Sequence, residues 1–194
     1  DIEDRKRFAA RAFMTSSHYD TRIFEYFNGE MKADVFKKSE LNSKVLRYGE
    51  NPHQRGAFYG NMYELLDILN VKELSYNNLV DVDAALNLIS EFEEPTVAII
   101  KHTNSCGLAS RNTVLEAYKA AFACDTTSAF GGVIVANRTI DLATANEMNT
   151  LFFEVLIAPA YDEDALAVLK SKKNRIIIKN KGFKPAAKTF KSLL

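Results

Sequence analysis

The chain has 194 residues, 47% hydrophobic and 26% charged, with 25 basic and 25 acidic side chains. That is ordinary globular composition, enough for one large domain or one domain with an appendage. A net charge of zero excludes a global basic field that would gather nucleic acid or an anionic membrane, and no segment approaches the roughly 20 apolar residues that span a bilayer.

Two cysteines, Cys106 and Cys124, are too few for a disulfide framework and read as reduced thiols. With no signal peptide in view, a cytoplasmic location is expected. The chain opens on Asp1 and closes on Ser192-Leu193-Leu194, which reads as a piece of a longer protein.

The pattern from Asp1 to Asn28 is helical: Ile2, Phe8, Ala9, Ala12, Phe13, Tyr19, Ile23, Tyr26 and Phe27 recur at helical spacing. A break is expected near Thr15-Ser16-Ser17, and Gly29 is the candidate C-terminal cap. Asp1, Glu3 and Asp4 suit the positive end of the helix dipole. The polar stretch from Glu30 to Asn42 reads as a linker.

Ala57-Phe58-Tyr59 is a short strand candidate. A helix follows over Asp81–Phe92, with Val82, Ala85, Leu86 and Ile89 on one face, and then a strand over Thr96–Ile100. Thr113 and Glu116 form a capping-box pattern that opens a helix facing inward through Val114, Tyr118, Ala121 and Phe122. Further strands are expected at Gly132–Ala136, Val155–Ala158 and Arg175–Ile178, with helices at Asp141–Phe152 and Asp162–Lys170. Short, wholly apolar strands alternating with helices predict an α/β fold with a mostly parallel or mixed sheet covered on both faces. Right-handed crossovers would then gather the loops Lys101–Gly107, Asn137–Arg138 and Pro159–Tyr161 on one edge. A basic tail, with Lys181, Lys184, Lys188 and Lys191, closes the chain.

Four constellations can carry chemistry. The strand over Val97–Ile100 runs into Lys101-His102-Thr103-Asn104-Ser105-Cys106-Gly107. Polar groups crowded at the end of a buried strand mark a ligand site in open α/β sheets. His102 can act as a general base near neutral pH and Lys101 can stabilise an oxyanion or a phosphate. The alternative is a strand-end lysine reaching water beside a core histidine. Arg47-Tyr48-Gly49-Glu50-Asn51-Pro52-His53-Gln54 offers a planar fork for a phosphate and a face for stacking a heterocycle; the bland alternative is a surface turn. Gly131-Gly132 permits close backbone approach to a ligand, or is simply an undemanding turn. Glu154, just before a strand, could hold an amine or a ribose hydroxyl, or only a solvated strand entry. A zinc deaminase, the third reading, lacks its motif here: His102 is followed two residues on by Asn104 rather than the Glu of His-x-Glu, and no Pro-Cys-x-x-Cys exists. No phosphate-binding or dinucleotide glycine fingerprint occurs. Cys106 four residues from His102 leaves a thiol nucleophile open.

Taken together, these segments resemble the formyltransferase half of the bifunctional purine-biosynthesis family, which joins AICAR formyltransferase to IMP cyclohydrolase. (AICAR is 5-aminoimidazole-4-carboxamide ribonucleotide.) The matching stretches are Leu46–Gln54, Leu74-Ser75-Tyr76-Asn77-Asn78 with Asp81 and Ala84-Ala85, Lys101–Gly107, Ser128–Ile134, Glu154–Pro159 and the Asp1–Asn28 helix. The resemblance implies a cytidine-deaminase-like arrangement of α/β/α layers without metal, preceded by a linker helix. It implies residues 1–42 as the end of the cyclohydrolase domain and its connection, and residues 43–194 as a truncated first part of the formyltransferase domain. The implied reaction moves a formyl group from 10-formyltetrahydrofolate to the 5-amine of AICAR. His102 would accept the proton and Lys101 would stabilise the developing charge. Arg47, Tyr48, His102, Gly131 and Glu154 would bind AICAR. A homodimer is implied for the intact enzyme, and no activity for this stretch alone. A non-catalytic nucleotide-binding module of the same fold is the alternative.

Overall fold

The computed structural model describes residues 1–70 and 73–185; Lys188, Lys191 and the apolar end Ser192–Leu194 lie outside them. The first of two compact units is Asp1–Lys44 with Phe58–Asn61. It is built on the helix α1 (Ile2–Met31), with Ser43-Lys44 of strand β1 (Ser43–Val45) and Phe58-Tyr59 of strand β2 (Ala57–Tyr59). Asp1 caps α1 by accepting from the Asp4 N–H, and Asp4 reaches back to complete the box. The expected break at Thr15-Ser16-Ser17 is absent. These hydroxyls bond back to carbonyls of Arg11, Phe13 and Met14 in the preceding turn, which lets hydroxyl residues sit inside a helix. Nor does Gly29 end the helix: Lys32 does, at φ 54°. The Asn28 side chain makes that possible by accepting the Ala33 N–H at 2.7 Å. No residue of α1 is buried. Among the described residues, no helix is long and apolar enough to cross a membrane.

The second unit is Val45–Ala57 with the chain from Met62 onward. In order it contains α2 (Met62–Leu65), β3 (Leu66–Ile68), α3 (Tyr76–Ile89), β4 (Thr96–Lys101), β5 (Asn104–Ser110), α4 (Val114–Cys124), β6 (Val133–Ala136), α5 (Leu142–Met148), β7 (Val155–Ala158), α6 (Glu163–Lys170) and β8 (Ile176–Asn180). The sheet runs β3-β8-β7-β6-β4-β5. β6, β7 and β8 are mutually parallel, whereas β3 on β8, β4 on β5 and β4 on β6 are antiparallel. The sheet is therefore mixed, not mostly parallel. The reason lies between β4 and β5: only two residues join them, and so short a connection can only return antiparallel.

Three layers result. Val97, Ile99, Ile134, Leu156 and Ile177 pack with Ala117, Tyr118, Ala121, Ala145, Met148, Ala165 and Leu169 of α4, α5 and α6. The opposite face is covered by α3, whose Val82, Ala85, Leu86 and Ile89 are all buried. Burial on both faces explains why the central strands lack polar alternation.

Three buried side-chain polar atoms have no partner among the described residues: the Tyr118 and Thr144 hydroxyls and Arg175 Nε. Burial pushes the pKa of the Tyr118 hydroxyl up to about 12. In the unfolded chain it ionises near about 10. Its titration therefore leaves stability untouched below that pH and lowers it as pH rises from there through about 12. Tyr118→Phe is expected to raise stability by about 1 kcal/mol, because it deletes an unsatisfied polar atom and little volume. It should also blunt the alkaline loss. Urea denaturation at neutral and alkaline pH measures both; a variant destabilised at neutral pH would contradict the reading.

Candidate active site

The hairpin that makes the sheet mixed also presents the Lys101-His102 pair. Lys101 pairs with Asn104 across it, so His102 and Thr103 form a two-residue turn. Their φ values are 52° and 64°, the left-handed pair of a type I′ turn. Asn-Gly normally fills such a turn, and a β-branched residue there is strained. Two partners hold it. The Asp81 carboxylate of α3 accepts the Thr103 N–H at 2.7 Å, and the Asn104 amide donates to the His102 carbonyl at 2.9 Å. His102 is exposed at the apex, and among the described residues no hydrogen bond engages its ring. Cys106, the candidate thiol nucleophile on this segment, instead spends its thiol on the Ile99 carbonyl. Burial pushes its pKa up, which opposes thiolate chemistry.

Strand register explains what stands beside the turn. Ile100 aligns with Val133, Val133 with Val155, and Val155 with Ile176. One residue further toward the same edge come Lys101, Gly132, Glu154 and Arg175. Neighbouring strands lie about 4.8 Å apart, so Lys101 and Glu154 flank Gly132. The loop expectation therefore needs correcting. β4 runs against β6, so the Lys101–Gly107 segment sits at the edge where β6 and β7 begin. Asn137 lies at the other edge, where its side chain accepts the Thr96 N–H at 2.9 Å.

The loop before β6 is tied into this row. Lys101 Nζ donates to the Phe130 carbonyl at 2.9 Å, and the Gly131 N–H donates to the Phe152 carbonyl at 2.8 Å. Gly131 adopts φ +73°, a conformation L side chains rarely take. Asp125 organises the start of the loop by accepting from the Ser128 hydroxyl and backbone N–H. Those hydrogen bonds hold its carboxyl below the usual range.

Arg47 and Tyr48 come from a separate loop closed by its own backbone. Gly49 N–H donates to the Gln54 carbonyl at 2.8 Å, and Leu46 N–H to the Gly56 carbonyl at 2.9 Å. Arg47 lies over the Tyr48 ring, 4.8 Å from its centroid, and its Nη2 donates to the phenol at 3.0 Å. That bond, helped by the Ser75 hydroxyl, lowers the Tyr48 pKa. Ser75 is also the N-cap of α3. So α3 begins earlier than the expected Asp81, and its first turns carry Ser75, Asn78 and Asp81 at intervals of three. These three meet Tyr48, Glu154 and the His102-Thr103 turn respectively. Thus all six expected site residues belong to one unit, and the first turns of α3 reach Tyr48, Glu154 and the turn that carries His102. Ser75-x-x-Asn78 was a readable signal for this start, as a capping box with an amide in place of the usual acid.

The class is thus an α/β/α domain with a polar site on one sheet edge, braced by a helix N-terminus. Residues 1–193 match the family described as the AICARFT/IMPCHase bienzyme, and the chain belongs to that family. It is 56% identical over 193 residues to the bifunctional purine biosynthesis protein PurH of Bacteroides thetaiotaomicron, covering 100% of this chain and 38% of that protein. Proteins of the same name from Enterococcus faecalis and Rhodospirillum rubrum are each 46% identical, over 89% of this chain and 36% and 34% of their own lengths. The chain thus spans little more than a third of the curated relatives it matches.

Proposed function

We propose that this chain supplies the first part of an AICAR formyltransferase domain in de novo purine biosynthesis. Residues 1–42 belong to the end of a cyclohydrolase domain and its connection, and residues 43–194 begin the transferase. Its substrates are AICAR and 10-formyltetrahydrofolate. The complete enzyme is a cytoplasmic homodimer that also carries IMP cyclohydrolase activity. The observation that carries this reading is the shared sheet edge, where an exposed histidine, a lysine, a glycine loop and a carboxylate converge in a family member.

The 5-amine of AICAR is a poor nucleophile, because its lone pair is delocalised into the carboxamide-bearing ring. It must be aligned with the formyl carbon and relieved of a proton as it attacks. His102 takes that proton. Lys101 offsets the charge that grows on the formyl oxygen as the new C–N bond forms. Collapse then breaks the bond to folate N10, which leaves with a proton. Arg47 and Tyr48 hold the nucleotide, with Tyr48 stacked on the base, and Gly131 and Glu154 complete its pocket. Remaining folate contacts would come from parts of the longer protein.

The test is a folate absorbance assay. The full-length enzyme is expected to turn over and this chain alone to show none. Arg47→Ala in the full-length enzyme should raise the AICAR KM at least about tenfold, the value of one lost charge-assisted contact. Turnover by the chain alone would overturn the assignment of a partial site. AICAR binding with no turnover in the full-length protein would favour a non-catalytic nucleotide-binding module.

A further inference from the structure

We propose that Asn78 is a positioning residue, which sets the Glu154 carboxylate so that one defined oxygen faces the nucleotide. This rests on the reading of Glu154 as a nucleotide contact. Asn78 is 7% exposed and Ser75 2%, so their hydrogen bonds are shielded from water. Asn78 Oδ1 accepts the Ser75 backbone N–H at 3.1 Å and the Ser75 hydroxyl at 2.9 Å. A backbone N–H can only donate, so this face of the amide must be the oxygen. The other face is then the NH2, which donates to Glu154 Oε2 at 2.8 Å. The amide has no freedom to flip, and Oε2 is committed.

Among the described residues no second hydrogen bond engages the Glu154 side chain. Oε1 is therefore the oxygen left to accept from a ligand. The same Ser75 hydroxyl lies against the Tyr48 phenol. Residue 78 selects for a donor: the backbone of α3 asks only for an acceptor there, and any acid would serve. Asp4 does so in the equivalent box of α1. Only the contact with Glu154 requires an amide.

That difference makes the experiment. In the full-length enzyme, Asn78→Asp keeps the acceptor for the capping box but sets a carboxylate against Glu154. The expected result is a melting temperature close to wild type, an AICAR KM raised at least about tenfold and an unchanged KM for 10-formyltetrahydrofolate. Asn78→Ser, which retains a hydroxyl for the cap without the reach, should show the same split. An unchanged AICAR KM in both variants overturns the proposal. So does an equal loss in both substrates' KM with a lowered melting temperature, which marks a purely structural role. Glu154→Gln separates the two layers of the reading. If it leaves the AICAR KM unchanged, Glu154 is no nucleotide contact and the inference falls with it. If it raises the KM while the Asn78 variants do not, only the positioning role fails. The Asn78→Asp, Glu154→Gln double variant should lose no more than the worse single variant, since both act on one contact. Additive losses overturn the proposal.

Discussion

In the full-length enzyme, His102→Ala is expected to lower kcat for formyl transfer by about 10²–10⁴, the usual contribution of a positioned general base. AICAR binding should remain largely intact, because Arg47, Tyr48, Gly131 and Glu154 are untouched. The side chain is exposed and its ring makes no hydrogen bond among the described residues, so little packing is lost. Its backbone, however, sits at φ 52°, where alanine is poorly accommodated. His102→Asn therefore belongs beside it, since asparagine tolerates the left-handed region and cannot serve as a base at neutral pH. The two variants should lose turnover alike. Rapid-quench or absorbance kinetics with calorimetric AICAR titration reads the split. Wild-type-like turnover in either variant would sink the proton-acceptor role.

Gly107→Ala should be the most damaging single methyl group in the chain. A Cβ at Gly107 would stand 2.0 Å from the Ala121 carbonyl oxygen and 2.9 Å from its carbon. Both atoms are backbone of α4, so no rotamer change relieves the clash. α4 has to lift off β5, on the face that buries Ala117, Tyr118 and Ala121. A cost of at least about 3 kcal/mol is expected, at the upper end for overpacking. In a chain of this size that corresponds to a fall of about 6–12 °C in Tm. Scanning calorimetry decides it; an unchanged transition would mean that α4 and β5 approach less closely than described. Because β5 is the return strand of the His102 hairpin, formyl transfer should fall with stability.

Much of this was readable from the residues. The apolar runs at Val97–Ile100, Val133–Ala136 and Val155–Ala158 are strands buried on both faces. Thr113 and Asp141 are N-caps whose side chains accept from the third residue on. Lys101 and Glu154 flank buried strands, as their positions imply. The hairpin was hidden because His102-Thr103 lacks the glycine or asparagine that announces a type I′ turn. Held by Asp81, a residue 22 positions away, the turn depends on tertiary contacts that local propensity does not encode. The antiparallel course of β4 between β5 and β6 was hidden with it, and the assignment of loops to edges failed. The first turn of α3 escaped because the polar run Ser75–Asn78 offers no apolar periodicity. Its reason for being helical lies in the capping box and in what that box grips. That the candidate residues gather at one sheet edge could be anticipated in part from their positions beside buried strands; the helix that braces them could not.

The hairpin also bears on the order of assembly. Lys101, His102 and their brace at Asn104 are neighbours in sequence, and hairpins close within about 1–10 μs. Arg47 and Glu154 are separated by more than a hundred residues, and Asn78 and Glu154 by 76. Such distant pairings are slow to find. The residues proposed for proton transfer and charge stabilisation therefore sit together on one short hairpin, whose turn is completed by Asp81, whereas those proposed to hold the nucleotide are brought together only by the whole sheet. On the proposed roles, substrate selectivity is thus a property of the completed topology.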